Sequence, residues 1–503
     1  MSSRSTARAA RTVALIALAL CLGRPTASLA EPPPGPSGHK TAAPAGPKND
    51  NIAAAVRALA SSKALDGAKV GVMVLDVSTG AVLGASEEHT LVNPASNAKI
   101  YTAAAALAIL HGSHRYHTTL RGSTKGSAVS GLVLRGDGDP SLQSRDLWEM
   151  AQELKAHGVK RVEGDILVDQ GAFDAETTPP AFDQQPNEWA AFRAPVSAVA
   201  VNENTVTLTV RPTKAGEAAI TTFDPPGFVD VSGSVKTGES GADTVGLALA
   251  GAGDRLSAKL SGAVAEDSRL VRYTRRVEDP RLLAGYALRA ILDECGVKVT
   301  GEVKLGSGTK GRVLARHASE PLSTLLLSLG KASDNFYAEM IFKSLGGEAK
   351  GRPAKSQDAA EVVTKWLERN GLGDTGIVIK NGSGLFDANR VTAHSAAQVL
   401  RYALRDPVTS GEFLAQLAIG GVDGTLHRRF RGHRASHAIR AKTGTLDDAI
   451  ALSGYVLPPA TPVAGKLSGP VAFVFLANGV KGRGGVARAA ADKLVEAIYA
   501  ELY

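Results

Sequence analysis

Residues 93–112 read NPASNAKIYTAAAALAILHG, and the architecture turns on how this stretch folds. Asn93 is a good N-cap, Pro94 suits the first helical position and Gly112 suits the C-terminal stop. From Ile100 to Leu110 the run is mostly Ala and Leu. A helix that is apolar all round is buried, so a central helix enclosed by other layers is expected. Ser96 and Lys99 stand three apart near its start and share one face. Free helix N–H groups and the positive dipole end favour an oxyanion developing at Ser96. A serine hydroxyl is a poor nucleophile until a base takes its proton. Lys99 can be that base only if its pKa falls, through burial and neighbouring cations. Taken alone, the pair reads more readily as a capping serine beside a surface lysine.

Outward from this helix the chain divides by pattern. A helix is expected from Asn51 to Leu65, then a hairpin of Val70–Val77 and Ala81–Gly84 around Ser78-Thr79-Gly80. Residues 50–117 are read as the first part of a catalytic domain. Residues 118–315 carry many short β-type runs: Gly131–Arg135, Arg161–Val168, Val206–Arg211, Thr244–Ala250 and Val297–Leu305. Helices are expected near Leu147–Ala156 and Pro280–Cys295. This is read as one or two inserted, mostly β domains. Residues 316–503 return to helices at Pro321–Leu329, Asn335–Ser344, Gln357–Asn370 and Ser395–Leu404. Strands follow at Ala449–Val456 and Val471–Leu476, with a closing helix Val486–Leu502. The two ends are therefore expected to share one α/β (α+β) domain. No internal repeat is found.

The first thirty residues read as a secretory signal. Arg4, Arg8 and Arg11 precede a short apolar run from Thr12 to Gly23, and Ser28-Leu29-Ala30 supplies the cleavage site. The run falls short of the ~20 residues that span a bilayer. A lipid anchor at Cys21 is disfavoured by Leu20 before it. Residues 31–49 read as a Pro/Ala-rich spacer. The protein is expected to be exported, periplasmic or otherwise extracytoplasmic, with peripheral membrane association left open. The signal's four arginines supply half of the formal +8 charge, and the other basic residues are dispersed. Nucleic-acid binding is not indicated. Only Cys295 remains after signal removal, so no intrachain disulfide can form.

Two distant elements give the Ser96–Lys99 pair its meaning. Ser333-Asp334-Asn335 precedes a helix, where by itself it reads as an N-cap. Lys442-Thr443-Gly444-Thr445 precedes a strand, and Gly444 there allows close backbone approach. In order, these make the Ser-X-X-Lys, Ser-Asp-Asn, Lys-Thr-Gly set of penicillin-binding proteins and class A β-lactamases. About 240 residues separate Ser96 from Ser333, too many for the compact β-lactamase arrangement. The chain resembles the class C low-molecular-mass penicillin-binding proteins, the D-alanyl-D-alanine carboxypeptidase/endopeptidase family. The resemblance spans about residues 50–503. It includes Gly136-Asp137-Gly138-Asp139-Pro140, Ala194-Pro195-Val196-Ser197-Ala198, Asn202-Glu203-Asn204, Ser333–Glu339, Asn381-Gly382-Ser383-Gly384-Leu385, Asp423-Gly424-Thr425-Leu426 and Ala441–Leu446. The family usually has Asp where Asn381 stands and Tyr where Phe192 stands.

The resemblance implies an antiparallel sheet with helices on both faces, interrupted by the insertion. It implies a serine D,D-peptidase acting on peptidoglycan stem peptides and inhibited by β-lactams. Ser96, Lys99, Ser333, Asn335 and Lys442 would be catalytic. Thr443, Gly444 and Thr445 would serve substrate and oxyanion binding. No metal or organic cofactor is expected. His111, His114 and His117 read as a solvated loop, Lys481–Gly485 as a solvent loop and Gly136–Asp139 as a turn. The competing functions are a β-lactamase and a non-enzymatic wall-binding or penicillin-sensing protein. The complete trio argues against the latter.

Overall fold

The computed structural model describes residues 50–241, 243–308 and 311–503. The proposed signal and spacer lie outside them. Among the described residues no helix is long and apolar enough to cross a membrane.

The two ends of the chain build one sheet. β1 (Lys69–Asp76) and β2 (Val82–Ser86) form the expected hairpin. β3 (Ala418–Ile419), β4 (Ile439–Leu446), β5 (Ala449–Val456) and β6 (Val471–Asn478) complete it in the order β3-β4-β5-β6-β1-β2. All pairings are antiparallel. The last strand thus pairs with the first across nearly the whole length of the chain.

Alternation along the strands explains the layers. Val70, Val72, Val74, Ile450, Leu452, Phe473 and Phe475 point to one face and pack with α1 (Asp50–Ala60) and the C-terminal helix Gly484–Leu502. Met73, Leu75, Ala451, Tyr455, Val474 and Leu476 point to the other face, against α2 (Ala98–Leu110) and the remaining helices. Both faces are covered, so β5 and β6 are buried almost end to end and read as unbroken apolar runs. Every residue of α2 from Ala98 to Leu107 is buried. The helix without a polar face is indeed the one enclosed by neighbours.

The segment between the two ends carries its own layers. Strands His117–Lys125, Ala128–Gly136, Arg161–Asp169 and Arg312–Ala318 share a mixed sheet, with Lys298–Val299 and Val303–Leu305 along its edge. The strands Ala128–Gly136 and Arg161–Asp169 are parallel. A parallel pair needs a crossover, and helix Ser144–Ala156 supplies it. Helix Leu283–Glu294 packs into the same core. A smaller β core gathers Leu208, Val210, Val235, Leu260 and Val264. Within residues 172–200, Ala172, Phe173, Ala194, Val196 and Ala198 join the core around α2.

Two glycines set how closely the Ser383 loop and β4 approach the Ser96 turn. Gly384 has φ +74°, and a Cβ there would overlap the carbonyl oxygen of Ala95. At Gly444 a Cβ would lie 2.9 Å from the Pro94 oxygen and 3.1 Å from the Ala95 Cβ. Gly371 also has positive φ, +64°, but has open space around it. Gly384→Ala is expected to cost roughly 3 kcal/mol from backbone strain and overlap together. Gly371→Ala should cost only about 1 kcal/mol from backbone strain. Urea unfolding of the two variants separates them, and equal costs would mean the close approach is not enforced.

Candidate active site

The Ser96 turn is fixed at its base before it reaches the helix. Asn93 N–H donates to Asn478 Oδ1 at 2.7 Å, and Asn478 Nδ2 donates back to the Asn93 carbonyl at 2.9 Å. Asn93 Oδ1 accepts from Ala95 N–H at 2.9 Å. Ala95 then takes φ +47°, a left-handed conformation that interrupts helical winding. The α-helix consequently starts at Ala98 and not at Pro94, and Ser96 sits in a preceding 3-10 turn, Ala95–Asn97. At the other end His111, not Gly112, adopts positive φ. Asn97 Nδ2 donates to the Lys442 carbonyl at 3.1 Å and ties the turn to β4.

Lys99 lies one turn below Ser96 with no exposed surface. Its Nζ is 3.1 Å from Ser96 Oγ, 2.7 Å from Asn335 Oδ1 and 2.8 Å from the Ser383 carbonyl. The last two atoms can only accept. A neutral amine has two N–H groups and one lone pair. Donating to both acceptors leaves the lone pair facing the Ser96 hydroxyl. Burial pulls the Lys99 pKa from its ordinary 10.5 to about 7, against the opposing pull of Asp334 and Glu339.

Ser333 and Lys442 form the opposite wall. Helix Asn335–Lys350 is N-capped by Asp334, which accepts from Tyr337 N–H at 3.0 Å, so the capping expectation holds. Ser333, just before the cap, has φ +61°. Lys442 Nζ donates to Ser333 Oγ at 2.7 Å and to the Thr443 carbonyl at 2.8 Å. Lys442 is 1% exposed. Burial, with the charge of Lys99 added, pushes its pKa well below the ordinary lysine range. The Lys-Thr-Gly segment precedes the strand β5, as the sequence suggested, and itself lies inside a further strand, β4. Among the described residues, β3 covers the outer edge of β4 only at Arg440 and Ala441. Among the described residues, the outer edge from Lys442 to Thr445 has no strand beside it. Thr443 Oγ1 donates to Thr425 Oγ1 at 2.8 Å, and Thr445 is exposed.

All eight predicted site residues meet at this place. Ser96, Phe192, Ser333, Asn335, Arg390, Thr445 and Leu446 line a cleft of about 720 Å³. Asn335 engages both polar ends, since its Nδ2 donates to the Phe192 carbonyl at 3.0 Å. Phe192, from the stretch between the sheet-forming ends, is exposed at the cleft rim.

A supporting layer was not legible as such. Glu339, 2% exposed, accepts from Gly382 N–H at 3.2 Å and Ser383 N–H at 2.8 Å. It thereby aims the Ser383 carbonyl at Lys99. Asn381 is fully buried. Its Nδ2 donates to the carbonyls of Pro180 (2.9 Å) and Leu385 (3.1 Å), and its Oδ1 accepts from Gly384 N–H and Asn389 Nδ2, both at 3.0 Å. An aspartate here would aim a carboxylate oxygen at two carbonyls, so this chain's partners require the amide. The resemblance marked both positions, but only the fold shows what they hold.

The other weighed features lie elsewhere. Asp137 and Asp139 turn oxygens onto the backbone N–H groups of His117 and Ser141. His117 opens a strand and His114 stacks edge-on against Tyr116. Lys481 pairs with Asp447 on the surface.

The profile of the D-Ala-D-Ala carboxypeptidase 3 (S13) family matches residues 52–499. The chain belongs to that family. A D-alanyl-D-alanine carboxypeptidase of Actinomadura sp. (strain R39) is 34% identical over 448 residues, which is 85% of this chain and 81% of that one. A D-alanyl-D-alanine carboxypeptidase of Haemophilus influenzae is 25% identical over 427 residues, covering 83% and 87%. The crystal structure of penicillin-binding protein 4 from H. influenzae superposes with a TM-score of 0.72 at 24% identity, covering 89% of this chain and 99% of that one. The chain is a serine-type D,D-peptidase of this family, with the family's mixed α/β fold.

The lysine geometry sets a pH dependence. Lys99 works as a base only when neutral, and neutral amine is the majority form above its pKa. The second-order rate of acylation by a β-lactam reports the free enzyme. It is expected to fall about tenfold per pH unit below pH 7 and to level off above it. Stopped-flow acylation checks this. A half-maximum near pH 10, where an ordinary lysine titrates, would contradict the assignment.

Proposed function

We propose that this D,D-peptidase cleaves D-alanyl-D-alanine bonds of peptidoglycan stem peptides through an acyl-enzyme on Ser96. The observation that carries this reading is the fully buried Lys99 amine held 3.1 Å from Ser96 Oγ. Lys99 takes the hydroxyl proton as Ser96 Oγ bonds to the carbonyl carbon. The oxyanion forms at the backbone N–H groups of Ser96 and Thr445, each such donor worth roughly 3 kcal/mol. Ser333, backed by Lys442, passes a proton to the leaving D-alanine amine as the peptide bond breaks. Lys442, Thr443 and Thr445 hold the terminal carboxylate. The substrate backbone lies along the open edge of β4, which Gly444 lets stand close to the Ser96 turn. Asn335 hydrogen-bonds the substrate amide, for which its Nδ2 must leave the Phe192 carbonyl. Water then splits the ester and returns Ser96.

In this reading residues 50–117 and 316–503 make up the catalytic domain. Residues 118–315 are an insertion that lends Phe192 to the cleft rim. The protein works outside the cytoplasm, where its polymer substrate lies. β-Lactams acylate Ser96 because their ring carbonyl takes the place of the scissile one.

Ser96→Ala is expected to lose D-alanine release from a stem pentapeptide, and cleavage of a cross-linked dimer, by at least about 10³-fold. Its circular dichroism should be unchanged. Chromatographic assay of both products checks this. Release at the wild-type rate would remove Ser96 from the mechanism.

A further inference from the structure

A second chemically distinct cluster stands apart from the catalytic cleft. His89, in the loop after β2, meets Asp374, after helix Ser356–Arg369, and His394, in the first turn of helix Ala393–Arg405. Their candidate ligand atoms all lie within 4.8 Å of one another. Each imidazole turns its Nδ1 to the same carboxylate, His394 at 2.9 Å from Oδ1 and His89 at 3.2 Å from Oδ2. The rings stand 4.7 Å apart. Thr392 donates its hydroxyl to Asp374 and fixes the carboxylate from below.

We propose that His89, Asp374 and His394 form a binding site for a divalent transition-metal ion of the zinc type. Two imidazole nitrogens and one carboxylate suit that class, whereas calcium and magnesium prefer all-oxygen shells. Zinc bonds of about 2.1 Å in a tetrahedron place ligand atoms about 3.4 Å apart. The His–Asp separations of 2.9 and 3.2 Å run to different oxygens of Asp374, so a shift of His89 would have to bring both imidazoles onto one oxygen at that spacing, from the 4.8 Å within which the ligand atoms already lie. His89 can make that shift, because its side chain is 64% exposed while Asp374 is 14% exposed. Three protein ligands leave the remaining coordination to water. A ligating histidine usually donates its other ring N–H to a partner. The amide of Gln398 lies 3.4 Å from His394 Nε2, and its oxygen can accept that proton after an amide turn.

The ion would act as a clip. Val92 already bridges Val391, and His394 N–H donates to the Glu88 carbonyl at 2.8 Å. The segment so held leads directly into the Ser96 turn. A bound cation would fasten the same segment from its side chains and add the Asp374 loop.

The test uses purified full chain, stripped by a chelator and titrated with Zn²⁺ by calorimetry and against a chromogenic chelator. One equivalent is expected to bind, and the thermal midpoint should rise with Zn²⁺. His89→Ala and His394→Ala should each weaken binding by at least about tenfold and abolish the thermal shift. His89→Ala removes an exposed side chain, so it stays informative should His394→Ala fold poorly. Absence of stoichiometric binding in the wild type, or unchanged binding in His89→Ala, would overturn the proposal.

Discussion

Two lysine amines, Lys99 and Lys442, are buried in one small site at 0% and 1% exposure. An isolated ammonium is costly in such surroundings, so the protein must pair it, hydrogen-bond it or discharge it. Here the carboxylates of Asp334 and Glu339 draw Lys99 toward the charged form, and burial outweighs them. Charge on Lys99 in turn makes charge on Lys442 harder to hold. The site therefore favours at least one neutral amine, and a neutral amine beside Ser96 is a base. Glu203, close enough to Asp334 to feel its charge, belongs to the same balance. Burial and the neighbouring Asp334 carboxylate raise its pKa to about 7.

The fold is what makes such burial affordable. α2 is buried from Ala98 to Leu107, so a lysine on its first turn keeps no exposed surface. The sheet brings β4 against the Ser96 turn at the distance Gly444 permits, and Asn97 stitches the two together. From the opposite side Gly384 lets the Ser383 loop close over Lys99, while Glu339 and Asn381 hold that loop in place. Each partner of Lys99 comes from a different stretch of chain, and each is fixed by a further buried polar group. This continuity is typical of sites whose chemistry depends on preorganisation.

Much of this was legible in residue order. Periodicity placed α2 in the interior, the hairpin of β1 and β2, and the β5 and β6 strands, because the covered sheet writes itself as unbroken apolar runs. The three motifs named the residues that meet. Local rules failed at three places. Pro94 looked like a helix start, but Ala95 takes a left-handed conformation that no propensity announces. Lys442-Thr443-Gly444 was expected only to precede a strand, yet it also lies within one, β4, whose partner, β5, follows it. The roles of Glu339 and Asn381 depend on loops distant in sequence, as does the meeting of His89, Asp374 and His394. Such long-range pairings leave no local periodic trace.

The central claim is that Lys99 is neutral near physiological pH because the fold denies it water. Labelling the lysine ζ-nitrogens with ¹⁵N and following them by NMR across the pH range tests this directly, with Lys99→Arg assigning the resonance. The account predicts that the Lys99 signal titrates near pH 7. A Lys99 signal that titrates near pH 10, as for a solvated lysine, would contradict it.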